Sequence, residues 1–181
     1  MANMVVSRFC EETIMRNREF REKTGVGCIY GTPVTMNQFG PNEVVFVIEM
    51  NLKENKVEGI GLVLNIVKTG PQYNMYDNYN YNRYVYCGKY RLDREDLLQI
   101  TLPATEHTEE KLILDVLDHA LFKGKSHMKR GIYFSRITNK LLFRWGSSCN
   151  NMQETIMKTF VDKFGITIVM EQEINYELYG L

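Results

Sequence analysis

The chain has 181 residues, 44% of them hydrophobic and 24% charged, and its acidic and basic side chains balance to a formal net charge of zero. That length fits one domain with a proper core, and the neutral total excludes a global field that would gather nucleic acid or an anionic membrane, so any such attraction must be local. Cys10, Cys28, Cys87 and Cys149 stand far apart with no C-x-x-C pairing, which argues for four free thiols and against a zinc knuckle; no metal and no cofactor is expected.

The opening, MANMVVSRFCEETIMR, acquires charge too early for a secretory segment. No apolar run approaches the ~20 residues of a bilayer span. The expected setting is intracellular (cytoplasmic, nuclear or virion-associated), without a membrane partner. Residues 4 to 22 read as an amphipathic helix, with Val5, Val6, Phe9, Cys10, Thr13 and Phe20 on one face and Gly25 as its stop. A turn-rich stretch follows, broken at Gly-Thr-Pro and Phe-Gly-Pro.

VVFVIEM (44–50) predicts a buried strand, and VEGIGLVLNIV (57–67) a second one across a polar turn. Gly59 and Gly61 inside the latter point to a bulge or a close backbone approach. After Gly70-Pro71 comes QYNMYDNYNYNRYVYCGKYR, which holds seven of the eleven tyrosines. Within it, residues 83 to 91 alternate as a strand with two unlike faces, Tyr84 and Tyr86 opposite Val85 and Cys87. RLDREDLLQI contains a short helix or turn.

HTEEKLILDVLDHALFKG predicts a helix with Thr108 as N-cap, Glu109 and Glu110 in its first turn and Lys123-Gly124 at its end. Its buried face is Ile113, Leu114, Val116, Leu117, Leu121 and Phe122. KRGIYFSRITNKLLFRW mixes strand and helix signals. NMQETIMKTFVDKFG predicts a further helix, burying Ile156, Met157, Phe160, Val161 and Phe164 and ending at Gly165; a final strand follows. The pattern is a single α+β domain with a mostly antiparallel sheet or small barrel, flanked by about three amphipathic helices. It divides into an N-terminal helix (1–24), a β-rich part (28–104) and a helix-rich part with a C-terminal strand (105–181). The expected core includes Val45, Phe46, Val47, Ile48, Leu62, Val63, Leu114, Leu117 and Phe160.

Charge is distributed unevenly. Residues 93 to 118 carry eight acidic side chains, whereas 119 to 153 carry none and hold Lys123, Lys125, Lys129, Arg130, Arg136, Lys140 and Arg144. The densest part, KGKSHMKRG, also contains His127. Cations on a flexible loop suit a phosphate chain, because each neutralised phosphate releases counterions; the same residues also suit a solvated connector that caps the preceding helix, or an acidic protein partner. Tyr79, Tyr81, Tyr84 and Tyr86 lie near Arg83, and Trp145 follows Arg144. Single-strand binders combine aromatics and cations in this way, although tyrosine also favours strands simply as cover for a core.

Catalytic signatures are missing. TGVGCIYG has its third glycine one place too late for a dinucleotide loop, no P-loop occurs, and Glu49 is followed by Met50-Asn51 where a metal-dependent nuclease needs another pattern. His107, His119 and His127 have no metal-ligand spacing. A non-catalytic reading follows, and an enzyme with dispersed residues ranks last.

VVFVIEM, its polar turn and VEGIGLVLN with the Gly59/Gly61 break resemble the centre of small PUA-like β-barrels of the ASCH and EVE group. That resemblance implies recognition of RNA or a modified base in a cleft lined by aromatics, here the tyrosines of 79 to 86. The composition is also similar to that of proteins of large DNA viruses. The leading expectation is a module binding RNA or single-stranded DNA through Lys123, Lys125, His127, Lys129, Arg130, Arg83, Tyr79, Tyr81, Tyr84, Tyr86 and Trp145. Its rival is a structural or assembly protein that uses 72–91 as a protein or self-association interface.

Overall fold

A computed structural model describes residues 3–104, 109–131 and 133–166. In chain order the elements are β1 (Asn3–Phe9), α1 (Glu11–Thr24), β2 (Cys28–Thr32), β3 (Val44–Asn51), β4 (Lys56–Leu64), β5 (Tyr84–Gly88), β6 (Tyr90–Asp93), α2 (Arg94–Leu97), β7 (Thr101–Leu102), β8 (Lys111–Leu112), α3 (Ile113–Phe122), β9 (Ser135–Arg136), α4 (Asn139–Phe143) and α5 (Cys149–Phe164). Five strands form the central sheet in the order β6-β4-β3-β1-β9, and β2 pairs with β5 in a second, two-stranded sheet. Only β1 and β3 run parallel within the central sheet. The fold is a single α+β domain with a mostly antiparallel sheet, and that sheet does not close into a barrel.

The N-terminal helix begins later than its apolar spacing suggests. Residues 3 to 9 are a strand, because Met4, Val5, Val6 and Phe9 fit a period of two as well as a helical stripe and β3 is there to pair with, from Asn3↔Val45 to Phe9↔Asn51. The helix proper starts after Cys10 and stops at Gly25, whose φ of 74° takes the left-handed cap. Residues 83 to 91 are likewise two strands: the chain leaves the small sheet at Gly88 and joins the central one at Tyr90. α3 starts at Ile113, with Lys111-Leu112 paired to Thr101-Leu102, so Glu109 and Glu110 precede the helix and do not form its first turn. His107, Thr108 and the expected C-terminal strand lie outside the described residues.

Alternation along the central strands makes two cores. Met4, Val6, Phe46, Ile48, Ile60 and Leu62 face α3, α4 and α5, where Phe46 stacks on Phe160 at 5.6 Å. Val5, Phe9, Val45, Val47 and Val63 face the opposite way, against Cys28, Tyr30 and Tyr86 of the small sheet. All nine residues expected in the core are buried. In α5 the buried stripe is Met152, Ile156, Thr159 and Phe160, while Val161 is exposed, one position round from the contact.

On the second face a polar network is sealed inside. The Glu49 carboxylate accepts from Tyr30 Oη at 2.7 Å and from Arg91 Nε and Nη2 at 3.0 and 2.7 Å. Room for it comes from the two strand glycines. A Cβ on Gly61 would stand 2.0 Å from Tyr30 Oη, and one on Gly59 2.5 Å from Arg91 Nη2. Gly59 also abuts a bulge: Glu49 pairs with Gly59 but Met50 with Val57, leaving Glu58 as the extra residue. Both readings of the paired glycines hold. Gly61→Ala should therefore lower stability in urea unfolding by about 3 kcal/mol, the upper range for overpacking, whereas Val161→Ala on the exposed helix face should stay within ~0.5 kcal/mol.

Next to this network the buried Cys28 thiol lies 3.5–3.6 Å from the carbonyls of Leu62, Gly88 and Tyr90. Burial, and then the Glu49 charge, push its pKa up to about 12 and push the Tyr30 phenol well above its usual range. Both groups hold their proton more tightly in the folded chain than in the unfolded one. Their contribution is complete below the ordinary thiol pKa of about 8.5 and is lost as pH rises from there. Denaturation midpoints should fall between pH 9 and 12, and Cys28→Ala should have a lower starting stability but a shallower fall.

Candidate functional site

Ser7 and Phe9 leave β1 on the same face as Val5, and there the short β2–β5 sheet does not cover the central one. The gap is a cavity of about 150 Å³. Phe9, Tyr76, Tyr81, Tyr133 and Phe134 supply its rings and Ser7, Thr13 and Thr32 its hydroxyls; among the described residues Arg8 is its single charged group and no Asp, Glu or His lines it.

One group of rings comes from the loop between β4 and β5, which folds around buried Asn82. Its Oδ1 accepts from the backbone N–H groups of Met75 and Tyr76, both at 3.0 Å, and its Nδ2 donates to the Tyr76 carbonyl at 2.6 Å. Tyr76 and Tyr81 then meet edge to face, centroids 6.3 Å apart. Gly31 lets this loop lie on β2, since a Cβ there would stand 2.1 Å from the Tyr81 carbonyl oxygen. The glycine that looked like part of a nucleotide loop serves a close approach of two backbones.

Another group comes from the segment after α3. Phe134 sits edge-on to both Tyr30 and Tyr86, at 6.4 and 5.7 Å. Tyr133 adopts φ 57°, a left-handed conformation that costs a bulky residue about 1–3 kcal/mol and that concentrates at ligand sites. Arg8 holds it there: Nη1 donates to the Tyr133 carbonyl at 2.9 Å, Nε to the Met128 carbonyl at 2.5 Å and Nη2 to Ser135 Oγ at 3.0 Å. One half-buried guanidinium thus joins the cavity wall to the end of the basic loop.

The residues expected at a site are dispersed. Tyr81 lines the cavity. Tyr79 is 72% exposed and stands outside it. Tyr84 is half-buried with its ring under the Arg83 guanidinium, 5.3 Å from the centroid. Tyr86 is a correction: it is fully buried between the sheets, its hydroxyl accepting from Met36 N–H, and offers no face to a ligand. Its partner face is buried too, because Val85 packs with Ile29 and Met75 under the tyrosine loop. Trp145 is half-buried beside the helical core with its ring 5.1 Å from His119, whose Nε2 faces Lys123 Nζ at 2.9 Å, so Trp145 and Lys123 lie at the α3 corner and do not line the cavity.

Lys125 and Arg130 are exposed, Lys129 and His127 less so, and the loop carrying them reaches the cavity through Met128 and Gly131. Arg8, Phe9, Tyr76, Tyr133 and Phe134 were not anticipated. The adjacent aromatics in KRGIYF carried a usable signal, since they follow the cations directly. Arg8 was hidden by a helical reading of what is a strand.

Among the described residues the arrangement lacks an acid–base pair. Cys10 is exposed at the start of α1; slight burial raises its pKa, but hydrogen bonds with Thr13 bring it below the usual thiol value. No imidazole or carboxylate among the described residues lines the cavity to work with it. Among the described residues no group of His, Cys, Asp or Glu could hold a metal ion, and no helix is long and apolar enough to cross a membrane. The four cysteines are free. In comparisons with known proteins, no family model, no curated protein and no solved structure matches the chain.

Asn82→Ala should release the tyrosine loop by stripping its internal partners, at about 1–3 kcal/mol. Limited proteolysis should then cut between 72 and 81 far sooner than in the wild type, while hydrogen exchange in β3 stays slow.

Proposed function

We propose that this protein is a non-catalytic nucleic-acid-binding module for RNA or single-stranded DNA. One observation carries the reading: a ring-lined cavity of about 150 Å³ whose only charged group among the described residues, Arg8, is hydrogen-bonded to the Met128 carbonyl at the end of the basic loop. An unstacked base enters the cavity, and Lys125, Lys129 and Arg130 follow the phosphates that flank it. Stacking on aromatic rings is tolerant of sequence, and loop cations supply the salt-dependent part of affinity. The resemblance of 44–65 to PUA-like domains implies the same class of ligand.

Fluorescence anisotropy with a labelled single-stranded oligonucleotide at low ionic strength tests this. Lys125→Ala and Lys129→Ala should each weaken binding and flatten the slope of log affinity against log salt by about 0.7. Tyr81→Ala should cost ~1–3 kcal/mol of binding with stability kept. Tyr86→Ala should instead cost ~3–5 kcal/mol of stability, because that ring is core. No salt-dependent binding to any oligonucleotide would refute the reading.

The fully projecting ring of Tyr79 favours the assembly reading through 72–91. If that reading is right, sedimentation should show a self-associated species or complex that Tyr79→Ala dissolves.

A further inference from the structure

We infer that the cavity selects a pyrimidine base over a purine and over any cationic ligand; this rests on the strand-binding reading above. Size comes first. A cavity of about 150 Å³ matches the space in which a protein interior takes up a single benzene ring. By that volume a six-membered ring is accommodated and the second ring of a purine is not.

Charge comes next. Rings around a cavity attract a cation through their negative faces, as in cages for quaternary ammonium groups. Here Arg8 stands in the wall and no carboxylate among the described residues offsets it, so a cationic guest is repelled. Hydrogen-bonding capacity then suits a heterocyclic base. Arg8 has five N–H donors and no acceptor. Three of them go to Met128 O, Tyr133 O and Ser135 Oγ, which leaves two for a guest. Thr32 Oγ1 already donates to the Val34 carbonyl. The Ser7, Tyr81 and Tyr133 hydroxyls at the wall can donate or accept. Together these groups can meet the oxygens and nitrogens of any pyrimidine.

Arg8 is accordingly a positioning residue twice over. It holds Tyr133 in its left-handed conformation and presents its remaining donors to the guest. Because the same guanidinium also binds the Met128 carbonyl, occupation of the cavity and placement of the basic loop are mechanically joined.

The test is affinity for a dA12 strand carrying one central guest nucleotide: thymidine, uridine, cytidine or adenosine. All four strands carry the same phosphates, so differences report the cavity alone. Thymidine, uridine and cytidine guests should each bind about tenfold tighter than the adenosine guest, the factor that one base stacked on aromatic rings supplies. Tyr81→Ala should collapse that difference and leave the salt slope unchanged; Lys125→Ala should do the reverse. Equal affinity for the four guests, or a preference for adenosine, overturns the inference while the strand-binding reading stands. Absence of binding to every strand overturns both. Thymidine monophosphate alone should bind much more weakly than the thymidine-guest strand; equal affinity would assign the cavity to a free nucleotide and overturn the inference as stated.

Discussion

Glu49 is buried at 3% exposure together with Arg91 at 9%, and the fold is arranged to make that pair tolerable. A carboxylate and a guanidinium taken out of water are expensive unless every lone pair and donor finds a partner. Tyr30 Oη supplies the missing donor from the second sheet, and Asp93 takes the far end of the guanidinium. Three strands from two sheets are thereby locked at one point: β3, β6 and β2. Gly59 and Gly61 are consequences of this lock, as is the bulge at Glu58 that shifts the β3–β4 register beside it. Removal of one partner would leave an uncompensated charge, which is why specificity of pairing here is tied to the integrity of the whole layer arrangement.

From that lock the cavity follows. With Tyr30 fixed by its hydroxyl, Phe9 and Phe134 have a rigid surface to pack on. The helical side of the sheet is closed by α3, α4 and α5. The other side is covered by strands of only five residues, while β3 has eight and β4 nine. A short sheet cannot cover a long one, so α1 and loops complete the layer, and a gap remains where the loops meet β1. Ligand sites commonly form where loops stand on such a scaffold. The strained Tyr133 persists there because Arg8 binds its carbonyl and the next residue, Phe134, is anchored on Tyr30 and Tyr86.

Asparagine and tyrosine, the two most conspicuous residues in the composition, divide the structural work of these loops. Asn82 folds the tyrosine loop, and Asn65 Nδ2 reaches the carbonyls of Met36, Phe39 and Gly40. Asn51 Oδ1 caps the turn after β3 by accepting from the N–H groups of Lys53 and Glu54. Loops without regular backbone pairing need such side chains to satisfy their polar groups. Tyrosines then take different fates within twenty residues: Tyr86 in the core, Tyr76 and Tyr81 in the cavity, Tyr84 beneath Arg83, and Tyr90 against Phe164 at 5.0 Å.

What the sequence determined by itself is local. β-branched runs marked β3 and β4, the positions expected in the core are buried, and Gly25 and Gly165 end their helices as their spacing indicates, because periodicity and caps act within a few residues. Paired glycines announced a close approach without saying to what. Tertiary structure alone decided that residues 3–9 are a strand, since their apolar pattern suits two periods and the pairing with β3 chose between them. It also decided which tyrosines meet a cavity, and it brought Arg8 to Met128 and Tyr133 across 120 and 125 positions of chain. Contacts that distant leave no periodic trace in the sequence: each partner's local pattern is satisfied whether or not the other arrives.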